Sequence, residues 1–136
     1  MSDVKRFFDT NVLLYLLSED LAKADRAEEL VAKGGVISIQ VLNEFATVAS
    51  RKLGISWREI KEILVPIRAV CEIEAMTLET HDRGIDVADR YRFSFYDATL
   101  VASALGAGCQ RLYTEDLQHE QVIEGRLTIL NPFTSI

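Results

Sequence analysis

Asp9, Glu44, Asp97 and Asp116 each stand where an apolar run meets a polar one, a placement that solvated carboxylates seldom take. Two carboxylates about 4 Å apart repel by about 4 kcal/mol at an effective dielectric of 20, so four gathered in one pocket either bind a cation or take up protons. With oxygen donors only, and neither His nor Cys beside them, they suit Mg2+ or Mn2+ rather than zinc or copper. A cation of that kind lowers the pKa of water and stabilises charge on a phosphoryl group, so the natural reaction is phosphodiester hydrolysis.

The elements that must position these acids alternate between strand and helix. Val4 to Phe8 reads as a short buried strand that delivers Asp9 to a helix running through Leu17, with Thr10 or Asn11 as its N-cap. Asp20 opens a second helix over Ala22 to Lys33, closed by Gly34-Gly35. After a strand at Val36 to Ile39, the apolar positions Val41, Leu42, Phe45, Val48 and Ala49 follow the 3.6-residue period. Glu44 lies on the margin of that stripe, beside Val48. Ser56 and Glu59 form a capping box for the next helix. Cys71 to Met76 reads as strand, Leu78 to Tyr91 as helix, and Tyr96 to Leu105 as a helix apolar almost all round. Arg111 to Thr114 and Leu127 to Leu130 are the last strands, separated by an irregular polar segment.

Such alternation predicts an α/β chain in which helices cover both faces of a mostly parallel sheet of about five short strands. Ligands then sit outside the carboxyl ends of the strands. Asp9 and Asp116 follow strands directly and Glu44 follows one within a helical turn or two; Asp97 joins them if its helix begins at the same edge. Each acid has a bland explanation taken alone. Asp9 can begin a helix, Asp97 can complete a capping box started by Ser94, and Asp116 can be turn chemistry. Glu44 is harder to dismiss, and all four together require independent accidents at one edge.

Composition sets the bounds. A chain of 136 residues, 49% hydrophobic, has enough material for one core, so residues 1–136 are read as a single domain. No apolar run is long enough to cross a bilayer. Lys5-Arg6 before an apolar stretch imitates a secretory leader, but Asp9 and Asn11 interrupt the run and no small-residue cleavage site follows, so the expectation is a cytoplasmic protein. Cys71 and Cys109 lack metal or disulfide spacing and read as buried reduced thiols. The net charge of −6 argues against bulk electrostatic binding of nucleic acid, although four acids at one cation site account for much of it. Arg51, Lys52, Arg58, Lys61 and Arg68 read first as a solvated helix face and only second as a phosphate-contacting rim.

Phe8-Asp9-Thr10-Asn11-Val12-Leu13, Leu42-Asn43-Glu44-Phe45, Ser94-Phe95-Tyr96-Asp97-Ala98 and Leu112-Tyr113-Thr114-Glu115-Asp116-Leu117 closely resemble the motifs of the PIN domain. The likeness is greatest to the VapC-type toxins of type II toxin–antitoxin modules and extends through Asn131-Pro132-Phe133. It implies a three-layer α/β/α fold and an Mg2+- or Mn2+-dependent endoribonuclease, commonly dimeric, restrained by a VapB-type antitoxin. It places Asp9, Glu44 and Asp97 as the core metal ligands and Asp116 as a fourth acid in direct or water-mediated contact. Thr114 matches a small hydroxyl residue two positions before that acid, and Asn11 would orient a ligand or water, with capping as its competing role. Transfer RNA or a ribosomal loop is the substrate class the family suggests.

His81 and His119 are set aside, because a lone surface histidine is most often incidental. Glu79, Asp82, Asp86 and Asp89 read as one solvated helix face, and Glu115 is expected to point away from the site. Tyr91, Phe93, Phe95 and Tyr96 are read as core packing ahead of base stacking. A receiver-type phosphoaspartate domain is a weak alternative, since Asp9-Thr10-Asn11 lacks a second Asp two residues on and no Lys sits in a matching late-strand position. A non-catalytic acidic socket for a protein partner's arginine remains the alternative in another functional class.

Overall fold

The computed structural model describes residues 4–136. Its elements in chain order are β1 (Arg6–Phe8), α1 (Thr10–Tyr15), α2 (Leu21–Ala32), β2 (Gly35–Ser38), α3 (Ile39–Arg51), α4 (Trp57–Val70), β3 (Cys71–Glu74), α5 (Leu78–Tyr91), α6 (Phe95–Gly106), β4 (Arg111–Tyr113), β5 (Val122–Ile123) and β6 (Leu127–Leu130). Six strands form one sheet in the order β3-β2-β1-β4-β6-β5. Every pairing is parallel except β5 with β6. Phe7 stands at the centre of the register, opposite Val36 on one side and Leu112 on the other. Phe7, Phe8, Ile37, Leu112 and Ile129 are all fully buried, as parallel strands must be when helices cover both faces.

The strand order explains the layers. From β1 to β2 to β3 the chain moves one way across the sheet, and right-handed crossovers put α1 to α4 on one face. From β3 it returns past β1 to β4, and the same hand puts α5 and α6 on the other. The packing agrees. Helices α1, α2, α3 and α4 contact one another, while α5 packs along α6, and α6 lies against β2 and β4. Gly84 permits the α5–α6 approach, since a Cβ there would stand 2.8 Å from Thr99 Cγ2. The direction of progression reverses at β1, so the carboxyl ends of β1 and β4 open a crevice at the switch point.

Several boundaries differ from expectation. The N-cap of α1 is Asp9, which accepts from the Thr10 amide, rather than Thr10 or Asn11, and the helix ends at Tyr15. A carboxylate at the strand end already faces the first free amides, so it takes the capping position itself. Ser56 caps α4 through the Glu59 amide, but Glu59 returns its carboxylate to the Ser56 hydroxyl and not to its backbone. The reciprocal capping box instead joins Thr77 and Thr80 at the start of α5. The sixth strand is β5, two residues inside the segment expected to be irregular, where Ile123 is buried and pairs with Leu127. Two residues are too few to show any periodicity.

Both cysteines are free and buried. Burial pushes the Cys71 thiol up to about 11 and that of Cys109 to about 12, which keeps them protonated and unreactive. Among the described residues no helix is long and apolar enough to cross a membrane. Glu79, Asp82, Asp86 and Asp89 are exposed along α5, as a solvated face requires.

Candidate functional site

The crevice is lined at graded depth. Asp9, immediately after β1, is only 2% exposed. Glu44 on α3 and Asp97 in the first turn of α6 are half-buried, and Asp116, just beyond β4, is exposed. Ser94 caps α6 by accepting from the Asp97 amide, which fixes where that first turn starts.

Asp9 is held at both oxygens. Its Oδ1 accepts from the Thr10 amide at 2.6 Å, and its Oδ2 accepts from Thr114 Oγ1 at 2.8 Å and from Asn11 Nδ2 at 3.3 Å. Thr114 is fully buried and its hydroxyl is saturated. Besides donating to Asp9, it accepts from Asn11 Nδ2 at 3.2 Å and from the Asp116 amide at 3.1 Å, which uses its one proton and both lone pairs. Asn11 Nδ2 also reaches Asp116 Oδ2 at 3.1 Å, and Asn11 Oδ1 accepts from the Glu115 amide. Asn11 therefore links the first and last acids of the sequence, while the N-cap position of α1 is taken by Asp9. Thr114 supports two acids through one hydroxyl.

Like charges and burial act together here. Burial is the main force pushing the Asp9 carboxyl from 3.8 to about 7; the charges of Asp116 and Glu44 push the same way, against the bonds from Thr114 and Thr10. Asp97 is raised too, first by burial and then by Asp116 and Glu44, with Ser94 opposing. Glu44 and Asp116 thus act on both Asp9 and Asp97, placing the four carboxylates in one electrostatic neighbourhood. None of the four has an ion-pair partner among the described residues.

The donor set fits a hard divalent cation: four carboxylates, no nitrogen or sulfur donor, and one acid whose burial, with no cation partner beside it, pushes its carboxyl up to about 7. Among the described residues no three of these groups are drawn as tightly together as a finished ligand shell.

Two supporting residues escaped the sequence. Tyr96 places its hydroxyl 3.2 Å from Thr10 Oγ1, and Gln40, one turn before Glu44 on α3, receives a hydrogen bond from Thr99 and donates to the Tyr96 carbonyl. The sequence pattern makes Tyr96 a core aromatic; its position directly before Asp97 is the available clue. Burial raises the Tyr96 hydroxyl well above its ordinary value, with Thr10 opposing and the charges of Asp9 and Glu44 adding, so it remains a donor.

The residues set aside lie elsewhere. His81 is exposed with its ring edge-on to Phe95, and His119 accepts from the Asn131 amide beside Glu120. Glu115 turns away from the acids to accept from the Tyr15 hydroxyl. Tyr91 and Phe93 stack on each other, while Phe95 is exposed. The basic residues Arg51, Lys52, Arg58, Lys61 and Arg68 are all exposed; of these, Lys52 borders a cleft of about 330 Å³ shared with Asn11, Tyr15, Val48 and Glu115.

A family model described as PIN domain matches residues 6–124 of the chain. No curated protein matches it. Among solved structures, a toxin–antitoxin complex from Klebsiella pneumoniae superposes with a TM-score of 0.70 at 20% identity, over 95% of this chain and 98% of that one. VapC20 of Mycobacterium tuberculosis, described as a sarcin-ricin loop cleaving toxin, gives 0.67 at 24% identity over 82% and 92%. VapBC2 from Rickettsia felis, bound to a DNA fragment from its promoter, gives 0.67 at 15% identity over 94% and 100%. At these identities the likeness is one of fold.

Proposed function

The chain belongs to the PIN-domain family, and we propose that it is a VapC-type toxin: an Mg2+- or Mn2+-dependent endoribonuclease, one PIN domain over residues 1–136. The observation that carries this reading is the acid cluster at the switch point, four carboxylates without a basic partner, the most buried of which is pushed up to about 7. The proteins of similar fold, a sarcin-ricin loop cleaving toxin and toxin–antitoxin complexes, support the same choice. Transfer or ribosomal RNA is accordingly the proposed substrate class. A VapB-type antitoxin is the proposed partner, and a homodimer in the cytoplasm the proposed working state.

Asp9, Glu44 and Asp97 would hold the cation, with Asp116 contributing directly or through water. When bound, the cation supplies positive charge to a phosphoryl oxygen and acidity to water. The chain's own work is orientation. Thr10 and Thr114 fix the two oxygens of Asp9, so its remaining lone pairs keep one direction. Asn11 holds Asp116 against that frame and shields part of the repulsion between the two acids. Asp116, as the most exposed acid, is best placed to orient or accept a proton from attacking water.

The test is incubation of antitoxin-free protein with total RNA in Mg2+ or Mn2+, with EDTA and Asp9→Asn controls, followed by mapping of 5′ ends. Discrete cuts lost in both controls establish the activity and name the RNA. Cuts that survive EDTA and Asp9→Asn would refute it. A folded protein that binds an antitoxin but cuts nothing would favour an acidic socket for a partner's arginine.

A further inference from the structure

We propose that the Tyr96 hydroxyl is a positioning group that holds Asp9 and Asp97 in register through Thr10, while the Tyr96 main-chain carbonyl and Gln40 brace the helix that carries Glu44; this rests on the metal-dependent nuclease reading. Each contact reaches an element that carries a different acid. The Tyr96 hydroxyl lies 3.2 Å from Oγ1 of Thr10, the residue directly after Asp9. The Tyr96 carbonyl accepts from Gln40 Nε2 at 3.5 Å, and Gln40 stands one turn before Glu44, on the same side of α3. Tyr96 itself immediately precedes Asp97. Thr99 secures the junction, with Oγ1 2.9 Å from the Tyr96 carbonyl and 3.0 Å from Gln40 Oε1.

These bonds span 86 positions to α1 and 56 to α3, so they tie elements that nothing local keeps together. The force they resist is explicit. Asp9 and Asp97 both bear the charges of Glu44 and Asp116, and mutual repulsion favours a wider crevice unless a cation or a tether closes it. Thr10 is 1% exposed and Tyr96 half-buried, so this hydroxyl pair is largely screened from competing water. Removing the tether keeps every carboxylate in the chain but lets their spacing drift. That loss appears as weaker cation binding, because outer residues that orient metal ligands act through affinity and activity.

The experiment compares wild type, Tyr96→Phe, Thr10→Val, their double variant and Thr10→Ser by Mn2+ titration calorimetry at pH 8, alongside RNA cleavage. Tyr96→Phe is expected to weaken Mn2+ binding about tenfold, lowering kcat to match while leaving the KM for RNA within about twofold. Thr10→Val should reproduce that loss and the double variant should be no weaker than either, as two ends of one bond require. Thr10→Ser, which keeps the hydroxyl, should bind like wild type. Wild-type Mn2+ affinity in folded Tyr96→Phe, or losses that multiply in the double variant, would overturn the assignment. The Asp9→Asn variant separates the two levels: if it too kept wild-type Mn2+ affinity, the metal reading would fall and this inference with it.

Discussion

Thr114 Oγ1 donates to Asp9 Oδ2 at 2.8 Å, joining the residue that follows β4 to the residue that follows β1. The two strands are neighbours in register, Phe8 opposite Tyr113, so the residues after them meet by construction. Backbone bonds extend the match, since the Asp9 amide donates to the Tyr113 carbonyl and the Thr114 amide to that of Leu130. The switch point thus delivers a carboxylate and a hydroxyl already in bonding position, at a cost in burial that neither would bear alone.

Thr114→Val keeps the shape and removes the hydroxyl. Asp9 Oδ2 then loses its shortest donor, and the Asp116 amide loses its acceptor. Leaving such groups unsatisfied costs about 1–3 kcal/mol. Urea denaturation at pH 8 should show that loss for Thr114→Val and little change for Thr114→Ser. Equal stability of all three would show that the hydroxyl carries no weight.

The Asp9 carboxyl, at about 7 in the fold against an ordinary value of 3.8, binds its proton more strongly folded than unfolded. Its stabilising contribution is therefore fully present below about pH 4 and is lost as pH rises through 7. The full swing is on the order of 4 kcal/mol. Metal-free protein should lose stability between those limits and level off above pH 7, and Asp9→Asn should flatten that decline. A stability curve for wild type that rises through this window would contradict the burial argument.

Cation binding works against the same proton. Below pH 7 the cation must displace it, so Mn2+ affinity should climb with pH by about tenfold per unit and then flatten near 7. At a hundredfold excess over Kd the bound cation stabilises the fold by about 2.7 kcal/mol. A thermal melt with Mg2+ or Mn2+ should show this as a raised Tm, and Asp97→Asn should lose most of the rise. An undiminished shift in Asp97→Asn would remove Asp97 from the ligand set.

What the sequence discloses follows the range of each interaction. The Asp9 placement was legible because an apolar strand ending in a carboxylate is a local pattern, and the alternation of elements led directly to the switch point. Glu44 was legible from its position on the margin of a helical stripe. Asn11 was half legible: its link to Asp116 crosses 105 positions, so a single sequence left capping and orienting equally open. The Tyr96 bonds to Thr10 and Gln40 are of the same long-range kind, and their one local clue is the place of Tyr96 directly before Asp97. Two-residue β5 fell below any periodic pattern, although buried Ile123 shows that it is part of the core.

Gly84 tests how far the helices behind the site control it. An alanine Cβ there would lie 2.8 Å from Thr99 Cγ2, and Thr99 is the residue whose hydroxyl meets Gln40 and the Tyr96 carbonyl. Overpacking of this kind costs about 1–3 kcal/mol, against a gain of up to about 1 kcal/mol from helix propensity. Gly84→Ala should therefore lower the Tm and also slow RNA cleavage, because relief requires α6 to shift and carry Asp97 with it. Thr99→Ser deletes the offending methyl while keeping the hydroxyl, so the double variant should recover both stability and cleavage. A lower Tm in Gly84→Ala with cleavage unchanged would mean that α6 moves without disturbing the acids, and would separate the packing of this layer from the chemistry of the crevice.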